Sequence, residues 1–271
     1  MNESLDTSIV PTLEQLLPPR VRDERAEMYI LTKVDMAALE ADLALDLEWG
    51  NYKPEFSRAL ARLVYELLPR LHTYDRIIVD DASARLIGNV FEKIVATSRH
   101  RRGLPPARID FVTLGHVCLE NQQIAEIVND YMDELPRDNR EGVFILTEHI
   151  ASGKSLSHWC AKLETNGVRF DIGALTISPE LFCRFLSGEW KPAWANADLA
   201  PLARHLRYGS RSAAGLVLHK DIYSYTGIRR RTPEDPPGLG GISSEAPEMS
   251  RLEIGRQTVA RLSKHLIPLL G

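Results

Sequence analysis

Cysteine is scarce in this chain, with three in 271 residues, at positions 118, 160 and 183. So few and so scattered, they exclude a disulfide framework and point to a reducing compartment. Long apolar runs are missing as well, since no window reaches the roughly 20 residues of a membrane span. The opening MNESLDTSIVPTLEQ has neither a basic n-region nor an apolar h-region, so the expectation is a cytoplasmic protein with no membrane partner. Net charge is −4 and the pI is about 6.1, which leaves no footprint for nucleic acid over the whole chain. The short basic runs at 99–102 and 229–231 read as solvated loops. No Gly-x-Ser-x-Gly elbow and no internal repeat occurs.

What is present is the composition of a soluble globular protein, 44% hydrophobic and 26% charged, long enough to bury a full core. Residues 1 to about 30 are polar, hold Pro11, Pro18 and Pro19, and read as an arm around the core. Helical spacing follows at Met36, Leu39, Leu43 and Leu47, then at Phe56, Leu60, Leu63, Val64, Leu67 and Leu68. From there strands and helices alternate. RIIVDD at 76–81 is a short β-branched run, and Ile87, Val90, Phe91, Ile94 and Val95 form a helical stripe. Residues 109–114 are a second strand, and 119–135 an amphipathic helix closed by Pro136. The run from Gly142 is a third strand, a helix starts near Ser155, and 170–177 is a fourth strand. Four alternations predict an α/β fold with a parallel sheet and helices on both faces. Ligands in such sheets bind at the carboxyl ends of the strands, where Asp80, Asp81 and Glu148 would lie. Beyond Ser178 the pattern weakens. Residues 214–219 are a candidate strand, 231–248 a Pro/Gly-rich mobile loop, and 250–269 a terminal helix.

The stretch from Gly142 to Leu163 carries the most chemistry. An apolar run ends in Thr147 and Glu148, a small-residue loop follows, and then an amphipathic helix. Backbone N–H groups converge at such a helix start, where partial positive charge favours an anion. A Walker-type phosphate loop is excluded, because Glu148 stands where its first glycine must be, five residues before Gly153-Lys154-Ser155. An ordinary turn with Ser152 or Ser155 as N-cap is the competing structural reading.

The segment ILTEHIASGKS resembles the phosphoribosyl pyrophosphate (PRPP) loop of the type I phosphoribosyltransferases, with Thr147 in place of the first acid. The resemblance covers about residues 74–177 and implies a Rossmann-like core, flanked by a variable hood built from 1–73 and 178–271. It implies that Glu148, with Thr147, holds the ribose hydroxyls. Ala151, Ser152, Gly153, Lys154 and Ser155 would cradle the 5′-phosphate. A pyrophosphate loop is implied after the first core strand, here Asp81, Ala82, Ser83, Ala84 and Arg85, with Arg85 neutralising the leaving group. That loop lacks the usual glycines.

Asp80 and Asp81 are candidates to hold Mg²⁺ beside a bound diphosphate; capping the next helix is the other reading. They also resemble the acidic pair of a receiver domain, but Glu148 stands where a phosphoacceptor aspartate is needed. Glu148 and Arg85 are the catalytic candidates, in an electrostatic mechanism with no protein nucleophile. The implied partner is a small phosphoribosyl ligand, and a homo-oligomer is compatible with the family. The interval after the second strand leaves little room for a lid. Tyr223, Tyr225, Trp190 and Trp194 are candidates to stack an acceptor base, or to pack in the core. His149, His158 and Cys160, and His116 with Cys118, lack the paired spacing of a zinc site. The alternative function is a non-catalytic sensor that keeps a ribose-phosphate pocket.

Overall fold

The computed structural model describes residues 19–45, 55–80, 84–115, 120–137, 142–191, 198–216 and 249–271. Among them lies one parallel sheet of five strands: β1 (Tyr74–Asp80), β2 (Arg108–Val112), β3 (Gly142–Ile150), β4 (Phe170–Ile177) and β5 (Leu206–Arg211), in the order β2-β1-β3-β4-β5. The α/β expectation therefore holds. Burial explains which strands stand in the middle. β3 and β4 are mostly apolar and buried on both faces along almost their whole length, whereas β2 and β5 are half-covered edges.

Alternate residues of each strand feed two separate cores. Ile77, Val79, Phe144, Leu146 and Leu175 point to one face. They meet α1 (Pro19–Lys33), α2 (Met36–Leu45), α3 (Phe56–Leu67), α4 (Arg85–His100) and α9 (Met249–Leu266). Ile78, Val143, Ile145, Ile172 and Ala174 point to the other. They meet α5 (Gln122–Asp133), α6 (Lys154–Thr165), α7 (Pro179–Ser187) and α8 (Ala200–His205). The helix stripes at Phe56, Leu60, Leu63 and Leu67, and at Ile87, Val90, Phe91 and Ile94, are buried against the first face. Phe144 sits between Tyr74 and Phe91, at ring separations of 5.1 and 5.4 Å, and Gly173 leaves it room.

The amino edge of the sheet is closed by charged groups. Asp171 accepts hydrogen bonds from Arg70 at 2.7 and 3.0 Å and from the Tyr74 hydroxyl at 2.9 Å. Burial first, and then Asp171, pushes the Tyr74 hydroxyl well above its ordinary pKa. Arg99, 1% exposed, donates to the carbonyls of Pro105, His72 and Tyr74.

Several sequence expectations are corrected. Part of the expected arm is helical, since α1 begins at Pro19, a residue suited to the first helical turn. β1 starts at Tyr74, two residues earlier than expected, and β2 closes at Val112 rather than at 114. The fifth strand lies at Leu206–Arg211, and the part of 214–219 that is described, 214–216, is not in a strand. LRYGSR has no apolar alternation. It pairs because β4 offers an open edge and because Gly209 admits the Ala59 carbonyl of α3 at a distance no Cβ would allow. The sheet thus runs past 177, the expected end of the core. The loop at 231–248 lies outside the described residues. No described helix is long and apolar enough to cross a membrane.

Candidate functional site

In this strand order β1 and β3 are neighbours, but β1 leads to β2 on one side and β3 leads to β4 on the other. Their carboxyl ends flank the point where the chain reverses direction, which is where open α/β sheets place ligands. The next residues in register there are Asp80 on β1 and Thr147 on β3, one step beyond the Val79 and Leu146 pair. The Thr147 hydroxyl donates to Asp80 Oδ2 at 3.2 Å, and the Leu114 N–H donates to Asp80 Oδ1 at 2.9 Å. Asp80 therefore ties together the ends of β1 and β3 and the chain leaving β2. A second acid at 147 would face this carboxylate with like charge, a physical reason for a neutral threonine there.

β3 continues three residues past Thr147 to Ile150, so Thr147 and Glu148 lie within the strand and the turn comes after it. Ala151 and Ser152 are exposed. Gly153 has φ +78°, a left-handed conformation that favours glycine, and a Cβ there would push against Leu202 Cδ2 at 2.8 Å. Helix α6 starts at Lys154. Its first carbonyls are engaged. Ile150 O accepts from Ser178 N, Ala151 O from Ser178 Oγ, and Gly153 O from Ser157 N and Oγ. The N–H groups of Ser152, Gly153, Ser155 and Leu156 meet no acceptor among the described residues, and Lys154 N reaches Ser152 Oγ only at 3.4 Å. Donors at an exposed helix start, with a serine hydroxyl on either side of Gly153, can take an anion.

Glu148 is 2% exposed, and its Oε1 accepts the Leu216 N–H at 2.5 Å. Gly215 lies against the same carboxylate, and a Cβ at that position would overlap it. Glu148 points to the face of α3 and α4, whereas Thr147 and His149, its neighbours along the strand, point to the face of α6. His149 Nδ1 is 2.9 Å from Thr176 Oγ1, and the Thr176 hydroxyl donates to Glu148 O at 3.3 Å. With that proton taken, the hydrogen-bond pattern assigns the imidazole proton to Nδ1, which leaves Nε2 as the acceptor nitrogen.

The expected pyrophosphate loop is described only in part. Asp81, Ala82 and Ser83 lie outside the described residues, Ala84 is buried, and Arg85 opens α4. The Arg85 guanidinium stacks 4.0 Å over the Phe111 ring of β2. The described residues contain no group of three or more His, Cys, Asp or Glu arranged to hold a metal. Cys160 is buried, and burial, then Glu164, pushes its thiol pKa up, so it behaves as a core residue. Trp190 stacks on Phe185 at 6.1 Å, next to the core. Tyr223, Tyr225, Trp194, His116 and Cys118 lie outside the described residues. Sequence reading missed the Leu114 and Leu216 amides. Neither could be found that way, because a main-chain donor leaves no mark in residue identity.

No family model matches the chain, and no curated protein does. A solved structure described as hypoxanthine-guanine-xanthine phosphoribosyltransferase is similar over 72% of this chain and 93% of that one, at 11% identity and a TM-score of 0.34. At that degree of likeness the fold assignment stands on the five-stranded parallel sheet itself.

Proposed function

We propose that the protein binds the ribose 5-phosphate part of PRPP at the turn 151–155 and transfers the phosphoribosyl group to a small acceptor. The observation that carries this reading is the turn itself. It presents unpaired N–H donors and two serine hydroxyls at the start of α6, beside the carboxyl ends of β1 and β3. The amides of 152–156, the Ser152 and Ser155 hydroxyls and the Lys154 ammonium hold the 5′-phosphate. Glu148 accepts a ribose hydroxyl, Thr147, buried on the other face of β3, acts by holding Asp80, and Arg85 at the start of α4 is the cation nearest the diphosphate in this reading. In the reaction the C1–O bond to diphosphate breaks, the electron pair leaves with diphosphate, and an acceptor lone pair forms the new bond to C1. The chain's residues act by positioning and by neutralising charge.

Each Asp80 oxygen accepts a protein donor and has a second lone pair, so Asp80 can still meet Mg²⁺ directly or through water. In this reading Mg²⁺ enters as the counter-ion of the PRPP diphosphate, part of the substrate. A second reading, a ribose-phosphate sensor without turnover, is favoured by the neutral Thr147 and by the engagement of Glu148 with the Leu216 amide.

Calorimetric titration with PRPP and Mg²⁺, followed by diphosphate release across a nucleobase panel, tests both. Binding with release supports the transferase, binding without release on any acceptor supports the sensor, and absence of binding overturns both. Glu148→Ala lowers PRPP affinity roughly 100-fold with circular dichroism unchanged. Unchanged affinity rules out the ribose contact.

A further inference from the structure

The carboxylate assigned to the sugar is covered. At 2% exposure Glu148 cannot meet a hydroxyl from solvent while the segment 212–216 lies on it. That segment is held at both ends. Ser212 N donates to Ile177 O at 3.0 Å, at the end of β4, and Leu216, 1% exposed, is buried in the core shared by α3, α4 and α9. Between these anchors Ala213 and Ala214 are exposed, and Gly215 lies so close to the carboxylate that a Cβ there would make the Glu148 side chain shift. The hydrogen bond joining strap to acid is N–H to carboxylate. A sugar hydroxyl makes a bond of the same charge-assisted class at the same oxygens, so the two compete.

From this we infer that residues 212–216 form a strap that the ribose displaces from Glu148, so that sugar binding is coupled to release of the chain following β5. The inference rests on the ribose-phosphate reading above. The strap lowers apparent affinity by the fraction of molecules in which it is closed, and any change that loosens it restores that fraction. Gly215→Ala loosens it by placing a methyl group against the carboxylate. Leu216→Ala loosens it by removing the buried anchor while keeping the N–H.

The test combines amide hydrogen exchange on the wild-type chain with calorimetry on both variants, using PRPP with Mg²⁺ as the probe. Saturating PRPP accelerates exchange at Leu216 by about tenfold or more, and both variants bind PRPP roughly tenfold more tightly than wild type. If PRPP binds wild type while Leu216 stays as protected as before, the strap is overturned and the ribose-phosphate reading stands. The wild-type exchange measurement decides this even if a variant fails to fold. If neither wild type nor variants bind PRPP, the ribose-phosphate reading falls and the strap with it. Binding by the variants alone supports the strap.

Discussion

The two edges of the sheet hold their carboxylates with different donors. At the amino edge Asp171 is closed by a guanidinium and a phenol. At the carboxyl edge the partners of Asp80 and Glu148 include main-chain N–H groups and a threonine hydroxyl, donors of the same kind a sugar or water supplies. A charged partner makes a lock, since removing it strands an ion in the core. A neutral donor makes an exchangeable contact. The Asp171 lock therefore contributes stability at the amino edge.

The largest effect should come from the lock. Asp171→Ala leaves the buried Tyr74 hydroxyl and the half-exposed Arg70 without their acceptor. The expected cost is about 3 kcal/mol, the low end for a broken buried pair because Arg70 keeps partial solvation. Chemical denaturation measures it, and PRPP affinity should not change. A loss of affinity without a loss of stability would reverse the contrast between the edges. Next comes Gly153→Ala, which forces a side chain into a left-handed backbone and against Leu202, at about 1–2 kcal/mol. It should weaken PRPP binding by disturbing the turn amides. Stability lost with affinity intact would detach the turn from the phosphate.

The smallest effect concerns His158, on α6. Partial desolvation of this surface ring, and then Lys162, lowers its pKa below the ordinary 6.5. The unfolded chain thus takes up this proton at higher pH than the folded one does. Stability from this group is complete above about pH 6.5 and is lost as pH falls through the lower folded value. His158→Gln should flatten the urea midpoint across that window, and an imidazole resonance titrating at or above 6.5 would contradict the sign.

What the sequence disclosed follows from how local each signal is. β4 was legible to the residue because Phe170, Ile172, Ala174, Leu175 and Ile177 crowd into eight positions, and the stripe of α4 because five apolar residues recur at helical spacing. The turn at 151–155 was legible because Gly153 and its serines are contiguous. β5 was not, because its pairing is decided by a neighbour's open edge and by an α3 carbonyl 150 positions away, with Arg207, Gly209 and Ser210 giving no strand pattern. The partner of Glu148 was hidden for the same reason. It is an amide 68 residues downstream, and amides look alike in every sequence. The acid itself was legible, and its cover was not.

Gly209 has a bearing on how the molecule can be dissected. Its contact with the Ala59 carbonyl seats α3 directly on β5, and β5 leads straight into the strap over Glu148. An excised fragment of 74–177 would expose the β4 edge and strip the sheet of the buttress from α3. Its acid would be uncovered as well, so ligand binding by such a fragment would report on a different molecule. Faithful minimal versions must keep α3, β5 and the strap together.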